Sequence, residues 1–269
     1  METISSMNNR WVKLAAQLKI RKYREKTDLF LVEGVRSVED AFLQGRRDAV
    51  CFVTDRALAE PRIQSLTENA GQLHWLFLRV EEAMMERLSG TAHGQGVLAI
   101  LKKEKTEFTQ LLEKPGGHYV LLDSIQDPGN MGTILRTAAA AGCSGVLLTE
   151  GCTDPYSEKA VRSSMGSILR LPVFERVTLD QLAELKGKSG LIFAGTTLEG
   201  GTPYKMADIP EDAVFIFGNE GSGIRPEILA LCDEKIYIPM AGTVESLNVA
   251  ACAAVILFHY AVILFHYKE

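Results

Sequence analysis

The sequence predicts an α/β protein with two domains, and three observations support this prediction. Short apolar runs alternate with amphipathic helical patterns along the chain, which is typical of β–α–β units. A charged stretch over 102–117 interrupts this alternation and ends in Pro-Gly-Gly, as a domain boundary does. The 269 residues are enough for two apolar cores. We therefore predict an N-terminal domain over 1–105, a linker over 106–117 and a C-terminal domain over 118–269.

Four apolar runs of the N-terminal domain predict strands. They read FLVEG, AVCFVT, LHWLFL and QGVLAIL. The segments between them, such as VRSVEDAFLQGR and VEEAMMERLSG, place apolar residues at the spacing of amphipathic helices. This pattern predicts a small α/β sandwich.

The C-terminal domain repeats the pattern with runs that are apolar throughout. Its predicted strands are YVLLDSI, GVLLTEG, LIFAGTT, AVFIFGNE and KIYIPM. Continuous apolar runs, rather than alternating ones, favour a parallel sheet that is covered on both faces. Glycine-rich or polar segments follow these strands, namely QDPGNMG, EGCTDP, GTTLEGG, GNEGSGI and MAGTVESLN. Because ligands bind outside the carboxyl ends of such strands, we predict that this edge is the active face.

Composition excludes several classes of protein. Hydrophobic residues make up 46% of the chain and charged residues 23%, as in soluble globular proteins. The longest apolar run, AAVILFHYAVILFHY, is shorter than the ~20 residues of a membrane span, and METISSMNNRWVKLAAQ lacks the apolar core of a signal peptide. The cysteines are odd in number and lack metal-ligand spacing, so we expect a reduced cytoplasmic protein without a metal. They are Cys51, Cys143, Cys152, Cys232 and Cys252.

Charge is distributed unevenly along the chain. The net charge of −5 combines an excess of three positive charges over 1–105 with an excess of eight negative charges over 106–269. The segment RWVKLAAQLKIRKYREK carries seven basic residues and one acidic residue. A basic leading segment on an acidic body indicates contact with a polyanion. A solvated helix face is the alternative interpretation.

The segment DPGNMGTILRTAAAAG, at 127–142, lies between a predicted strand and a predicted helix. Glycine-rich turns at such junctions commonly present backbone N–H groups to a ligand. The segment lacks the Lys-Ser/Thr of a phosphate-binding loop and is not G-x-G-x-x-G. It offers Asn130 at the helix entrance and Arg136 within the helix. Asn130 as a simple cap or turn residue is the alternative.

A second glycine-rich loop, GNEGSGI, follows the run AVFIF. Gly218, Gly221 and Gly223 have no Cβ atoms, so backbone groups can approach a flat ligand there. The alternative is an ordinary strand-to-helix turn. Glu220 favours a site, because a carboxylate at the end of a buried strand requires a partner.

The segment IPMAGTVESLN follows the last predicted strand. It supplies Ile238 and Leu247 as apolar walls, and Ser246 and Asn248 at the start of the last helix. Ser246 is alternatively only the N-cap of that helix. Thr196, in FAGTT, lies on the same predicted edge, although its β-propensity alone explains a threonine there.

These segments resemble a known family. DPGNMGTILRTAAAAG, VFIFGNEGSGI and IYIPMAGTVESLNVAACAAVIL are similar, in order and spacing, to motifs 1, 2 and 3 of the SpoU (TrmH) family of RNA 2′-O-ribose methyltransferases. KAVRSSMGSILRLPV resembles a further family segment. The resemblance covers 118–260, and the preceding residues resemble a ribosomal-protein-like substrate-binding domain. It implies a trefoil-knotted SPOUT-type catalytic domain, a homodimer and S-adenosylmethionine as cofactor.

The resemblance also implies roles for individual residues. The implied reaction transfers a methyl group to a ribose 2′-hydroxyl of RNA. Ribosomal RNA is favoured by the front domain, and transfer RNA or a non-catalytic binding module are the alternatives. The implied catalytic residues are Asn130, Arg136, Glu220, Ser246 and Asn248, and the implied cofactor-binding residues are Thr196, Gly218, Ile238 and Leu247. Arg136 is expected to stabilise a developing alkoxide, oriented by Glu220, Ser246 and Asn248. A dinucleotide-dependent oxidoreductase is opposed by the missing G-x-G-x-x-G.

The front domain is expected to choose the RNA. The basic segment at 10–26 and Arg36 are candidates for contacts with the RNA backbone. His93, in SGTAHGQGVLAIL, is expected to be structural rather than catalytic.

The C-terminus contains AVILFHY twice, at 254–260 and 261–267. The first copy is expected to continue the helix that begins near Ser246. The second copy is interpreted as a coiled-coil seam, an extension of the dimer interface, or a duplication introduced by mutation or by design of the expressed chain. Two heptads without flanking charges are too few for a coiled coil. We therefore expect an accidental duplication, frayed beyond about residue 260.

Overall fold

The structure, a computed structural model, divides the chain into two compact units. The first comprises Met1–Glu104 with Asp154–Arg170, and the second comprises Lys105–Thr153 with Leu171–Glu269. The described residues are 1–90, 94–113, 115–198, 200–242 and 246–266, and the side chains of 262–266 are not described. His93 lies outside the described residues.

A mixed five-stranded sheet forms the centre of the first unit. Its order is β1-β4-β3-β5-β2, in which β1, β3 and β4 are parallel and β5 is antiparallel to both β3 and β2. The strands are β1 Glu2–Ile4, β2 Leu29–Glu33, β3 Val50–Val53, β4 Leu76–Val80 and β5 Val97–Lys102. The four predicted strands are confirmed. The sequence missed β1, because three residues are too few for a periodic pattern.

Helices surround this sheet. They are α1 Arg10–Leu18, α2 Arg21–Thr27, α3 Val35–Leu43, α4 Asp55–Leu58, α5 Pro61–Asn69, α6 Glu82–Leu88 and, later in the chain, α9 Glu158–Ser164. In α1, Val12, Ala15 and Leu18 are buried against the strands, since their spacing puts them on one face. The opposite face of α1 therefore leaves Arg10 and Lys13 exposed.

The segment Asp154–Arg170 packs within the first unit, although it follows strands of the second. Arg24 binds Asp154 at 2.6 Å, and Tyr156 lies edge-on to Phe30 with ring centroids 5.0 Å apart. The sequence-based expectation of one continuous C-terminal domain over 118–269 therefore differs from the observed packing. Pairing between residues so far apart leaves no periodic pattern in the sequence.

A seven-stranded parallel sheet forms the second unit. Its order is β10-β12-β9-β11-β6-β7-β8. The strands are β6 His118–Leu122, β7 Gly145–Thr149, β8 Val173–Val177, β9 Ile192–Thr196, β10 Thr202–Pro203, β11 Ala213–Phe217 and β12 Glu234–Tyr237. The predicted α/β class and parallel sheet are confirmed. All residues of β6, β7 and β11 are buried, as continuous apolar runs require.

Two strands of the second unit were not predicted. β8 contains the exposed pair Glu175 and Arg176, and β10 has only two residues. The helices are α7 Phe108–Glu113, α8 Pro128–Ala140, α10 Leu179–Ser189, α11 Pro226–Leu229 and α12 Val249–His266. The expected linker over 106–117 thus contains α7. Leu111 of α7 is buried in the same core as Leu182 and Leu185.

Candidate active site

Asn130, Glu220 and Asn248 form a chain of hydrogen bonds that joins the three motif segments. The Asn130 Nδ2 donates to Glu220 Oε1 at 2.9 Å, and the Asn248 Nδ2 donates to Asn130 Oδ1 at 3.0 Å. The Asn130 amide therefore donates on one side and accepts on the other, which fixes its orientation. The structure thus brings together three of the five predicted catalytic residues.

Glu220 also binds the backbone of the loop before α8. Its carboxylate accepts hydrogen bonds from the N–H groups of Gln126 and Asp127, each at 3.3 Å. Partial burial opposes ionisation of this carboxylate, but the hydrogen bonds from Asn130 and from backbone N–H groups outweigh it and lower its pKa. Glu220 is therefore a charged acceptor at neutral pH.

The side chain of Asn130 is free for the site because another residue caps α8. Asp127 Oδ1 accepts from the Asn130 backbone N–H at 2.9 Å, and Pro128 occupies the first turn. The interpretation of Asn130 as a mere cap is therefore wrong.

Asn248 is the N-cap of α12. Its Oδ1 accepts from the N–H groups of Ala250 at 2.9 Å and Ala251 at 3.4 Å, while its Nδ2 reaches Asn130. The helix begins at Val249, three residues after Ser246, so it begins near Ser246 as expected, but Asn248 rather than Ser246 is its cap. Ser246 is exposed two residues before the cap.

The loop after β11 is closed on itself by backbone hydrogen bonds. Asn219 and Gly223 exchange N–H···O bonds of 2.9 and 3.0 Å, and Asn219 Oδ1 accepts from the N–H groups of Gly221 and Ser222. A Cβ on Gly218 would lie 2.1 Å from the Gly223 carbonyl carbon, so only glycine fits. Sequence reasoning missed Asn219, although an asparagine in a glycine-rich turn commonly bonds the backbone beyond it.

The predicted cofactor-binding residues lie at the carboxyl edge of three neighbouring strands. Thr196 ends β9 and donates to the Ile216 carbonyl at 2.9 Å, so its hydroxyl is partly occupied by the sheet. Gly218 follows β11, and Ile238, which is half-buried, follows β12. Leu247 precedes α12 and is 41% exposed, which leaves its side chain free to cover a flat ligand.

Arg136 lies apart from the hydrogen-bonded chain. Its side chain is exposed on α8, and it makes no hydrogen bond or ion pair with any residue that the structure describes. Six residues along a helix rotate a side chain about 120° away from Asn130 and advance it about 9 Å. The hydrogen bonds of Glu220 and Asn248 go to Asn130 instead, and none connects Ser246 to Arg136 within the described ranges. The contacts expected to orient Arg136 are thus not found among the residues that the structure describes.

Comparison with known proteins identifies the family. The SpoU rRNA methylase family matches residues 117–258, which include all nine predicted site residues, and the MRM3-like substrate binding domain matches 9–99. The chain belongs to the SpoU rRNA methylase family.

Similar proteins extend this match over nearly the whole SpoU methylase chain. The 23S rRNA (guanosine(2553)-2′-O)-methyltransferase RlmP of Bacillus subtilis is 34% identical, over 96% of this chain and 99% of RlmP. The mitochondrial rRNA methyltransferase 3A of Danio rerio is 29% identical, over 93% of this chain and 68% of that protein. The crystal structure of AdoMet-bound rRNA methyltransferase from Sinorhizobium meliloti has a TM-score of 0.88 and 30% identity, over 98% of both chains.

Cysteine thiols of this SpoU methylase have raised pKa values. Burial raises the pKa of the Cys232 and Cys252 thiols to about 11 and that of Cys143 to about 12, so these thiols stay protonated near neutral pH. Among the described residues, no group of three or more His, Cys, Asp or Glu side chains is placed to hold a metal ion.

The described helices include none that is long and apolar enough to cross a membrane.

Proposed function

We propose that this SpoU methylase transfers the methyl group of S-adenosylmethionine to a ribose 2′-hydroxyl of ribosomal RNA. The observation that carries the proposal is the Glu220–Asn130–Asn248 chain, which joins three loops at the carboxyl edge of a parallel sheet. Ligands bind at this edge in open α/β sheets. RlmP is a 2′-O-methyltransferase of 23S rRNA, and the AdoMet-bound relative is an rRNA methyltransferase.

The residues at this edge fit the proposed cofactor. The closed loop 218–223 leaves no room for a Cβ at Gly218 and presents main-chain groups beside it. Ile238 and Leu247 supply apolar surface for an adenine ring. When bound, S-adenosylmethionine supplies an activated methyl group on a sulfonium sulfur, so the protein has mainly to position the acceptor.

The catalytic contribution of this chain is then electrostatic. Glu220 is ionised and holds the Asn130 amide in one orientation, with one Asn130 face bound to Asn248. We propose that Arg136 and this fixed polar group contact the ribose and its phosphate. Arginine remains protonated in proteins, so Arg136 stabilises charge on the 2′-oxygen rather than removing its proton.

We propose that the first unit holds the RNA. Five basic residues of α1, α2 and their flanks have exposed side chains: Arg10, Lys13, Arg21, Lys22 and Lys26. Arg24 is excluded from this surface because it is buried against Asp154. Arg36 is exposed at the start of α3 and extends the basic surface as a candidate. Contacts of this kind with phosphates position RNA without reading its sequence.

Charge reversal tests this surface more directly than truncation, because deleting residues 1–104 also removes the packing partners of Asp154–Arg170. The variant Lys13→Glu/Arg21→Glu/Lys22→Glu is expected to raise KM for RNA and to reduce the salt dependence of binding. The affinity for S-adenosylmethionine is expected to stay unchanged. Lys188→Glu, an exposed position of α10, is the control. Equal effects of both variants on RNA binding contradict the proposal.

The proposal includes the homodimer and the trefoil knot that the family resemblance implies, in a cytoplasmic protein. Val255 and Phe258 are exposed one turn apart on α12, at 37% and 42%, which gives a second copy an apolar face to cover. Analytical ultracentrifugation of the wild type and of Val255→Glu/Phe258→Glu tests the dimer. A monomeric wild type contradicts it.

Methyl transfer from labelled S-adenosylmethionine tests the proposed function. Purified ribosomal RNA and transfer RNA are compared as acceptors, and the modified nucleotide is mapped by its resistance to alkaline cleavage. Labelling of ribosomal RNA at a ribose is the expected result. Labelling of transfer RNA alone shows that transfer RNA, and not ribosomal RNA, is the substrate. Binding of RNA and cofactor without labelling indicates a non-catalytic module.

A further inference from the structure

Asp123 is a buried carboxylate directly after β6, below the candidate site. None of its surface is exposed, and its backbone N–H donates to the Phe217 carbonyl at 2.9 Å, at the end of β11. A buried carboxylate is stable only when its oxygens are paired and hydrogen-bonded. The hydrogen-bond partners of Asp123 therefore show which segments this carboxylate joins.

Arg225 supplies most of these partners. Its Nε and its terminal guanidinium nitrogen lie 2.8 Å from Asp123 Oδ1, and its backbone N–H donates to Asp123 Oδ2 at 2.8 Å. Thr149, the last residue of β7, donates its hydroxyl to Asp123 Oδ1 at 2.9 Å, and the Ser124 hydroxyl lies 3.4 Å from the same oxygen. One carboxylate thus joins the carboxyl ends of β6 and β7 to the segment after β11.

The same segment carries Glu220. The loop from Asn219 to Gly223 is a closed turn, and it is attached to residues 123–124 at both ends. At its start, the Asn219 Nδ2 donates to the Ser124 carbonyl at 2.9 Å, and beyond its end Arg225 binds Asp123. The turn is closed by its own hydrogen bonds, and these two attachments connect it to the residues that lead into the loop before α8.

We propose that Asp123 and Arg225 are a positioning pair for the methyl-transfer site. The pair fixes the position of the 219–223 turn. It therefore determines whether Glu220 accepts hydrogen bonds from the Asn130 amide and from the N–H groups of Gln126 and Asp127. Misplacement of a catalytic group by about 1 Å can reduce a rate by about 100-fold. This inference rests on the proposed function, because its effect is read in methyl transfer.

Arg225 has one other possible role, which the test separates from positioning. Its side chain is 49% exposed, so the guanidinium is accessible to an RNA phosphate as well as to Asp123. A phosphate contact acts through KM for RNA. Loss of a positioning pair instead lowers the rate of methyl transfer in the complex with RNA bound. Removing either partner of the pair lowers this rate to the same extent.

The experiment compares Arg225→Met, Arg225→Lys, Asp123→Asn and the double variant Asp123→Asn/Arg225→Met with the full-length wild type. Single-turnover rates, KM for RNA and the stoichiometry of S-adenosylmethionine binding are measured well below the lowest melting temperature. The matched control is Lys186→Met, which breaks the ion pair with Asp233 that precedes β12 at the opposite edge of the same sheet.

We expect Arg225→Met and Asp123→Asn each to lower the single-turnover rate by about 10- to 100-fold, with KM for RNA within about threefold of wild type and the cofactor stoichiometry unchanged. Arg225→Lys should recover part of the rate, because it keeps the charge but not the two-point contact. The double variant should be no slower than the slower single variant, and Lys186→Met should retain the wild-type rate.

Three changes in the variants overturn the pairing. They are single-variant losses that multiply in the double variant, a rise in KM for RNA at an unchanged rate, and a fall in cofactor stoichiometry that accounts for the whole loss of rate. If Arg225→Met does not fold, the rates of Arg225→Lys and Asp123→Asn are compared with the wild-type rate instead. A wild type without methyl transfer rejects the proposed function, whereas an active wild type with equally active variants rejects only the positioning pair.

Discussion

Arg24 and Asp154 lie 130 positions apart in the sequence and form an ion pair at 2.6 Å. Only 4% and 6% of their side chains are exposed, and Arg24 also donates to the Leu18 carbonyl at 2.6 Å. The pair therefore holds Asp154–Arg170 within the first unit. It also explains why one arginine of a basic helix is unavailable to RNA.

Arg24→Met is expected to lower the free energy of unfolding by about 3–5 kcal/mol, because it leaves the Asp154 carboxylate buried and unpaired. Chemical denaturation measures this loss. Arg21→Met is the control, since Arg21 and Glu25 form an exposed pair on the same helix, which is worth about 0.3–0.5 kcal/mol. Equal destabilisation by the two variants contradicts a structural role for Arg24.

Arg136→Ala is expected to abolish methyl transfer while S-adenosylmethionine still binds, because no described contact ties Arg136 to the cofactor edge. Arg136→Lys should also fail, since a point charge does not reproduce the planar guanidinium. Calorimetry with the cofactor and a labelled methyl-transfer assay measure the two properties. Near-normal turnover of either variant disproves the assignment.

Glu220→Gln is expected to lower the rate of methyl transfer at least about tenfold, because the amide has one acceptor oxygen, whereas the two carboxylate oxygens accept from three N–H donors. The folded-state pKa of Glu220 is lowered, so its stabilising contribution is present above its ordinary value of 4.5 and is lost as the pH falls through the folded value.

The pH dependence provides the check on Glu220. Between about pH 5 and pH 9 the wild-type single-turnover rate should show no step that Glu220→Gln removes. A step in this range that disappears in the variant shows that Glu220 titrates there and contradicts the lowered pKa.

Asn248→Ser separates the two roles of Asn248. A serine hydroxyl still accepts from the first N–H groups of α12 but is too short to donate to Asn130, so stability should be kept and activity reduced. Asn248→Ala should lose activity and also about 1 kcal/mol of stability. Thermal denaturation and single-turnover rates distinguish the two. Full activity of Asn248→Ser excludes a role for the Asn130 contact.

Deletion of residues 261–267 is expected to leave methyl transfer and cofactor binding unchanged. The helix α12 extends to His266, so the expected fraying near residue 260 is not what the structure contains. The first copy has contacts of its own, because Tyr260 donates to the Tyr204 carbonyl at 2.8 Å and packs on Phe215. Gel filtration with activity assays tests this. A dimer that dissociates on deletion makes the second copy part of the interface.

Particular residues show how far the sequence predicts this structure. The apolar runs located nine strands correctly, because burial on both faces leaves an uninterrupted pattern. The motif loops were predicted to meet because the carboxyl ends of parallel strands share one edge. Ser246 as a possible cap was wrong, since only the path of the chain decides whether Ser246 or Asn248 faces the first N–H groups of α12.

By itself, the sequence determined the fold class and the family and predicted the edge at which the motif loops meet, because periodicity and motif chemistry are local properties of the chain. Only the tertiary structure decided the partners: Glu220 with Asn130, Asp123 with Arg225, and Arg24 with Asp154. These pairs join residues about 90 to 130 positions apart. These pairs form because each polar group at a buried strand end requires a hydrogen-bond partner. The local sequence pattern does not identify which distant residue that partner is.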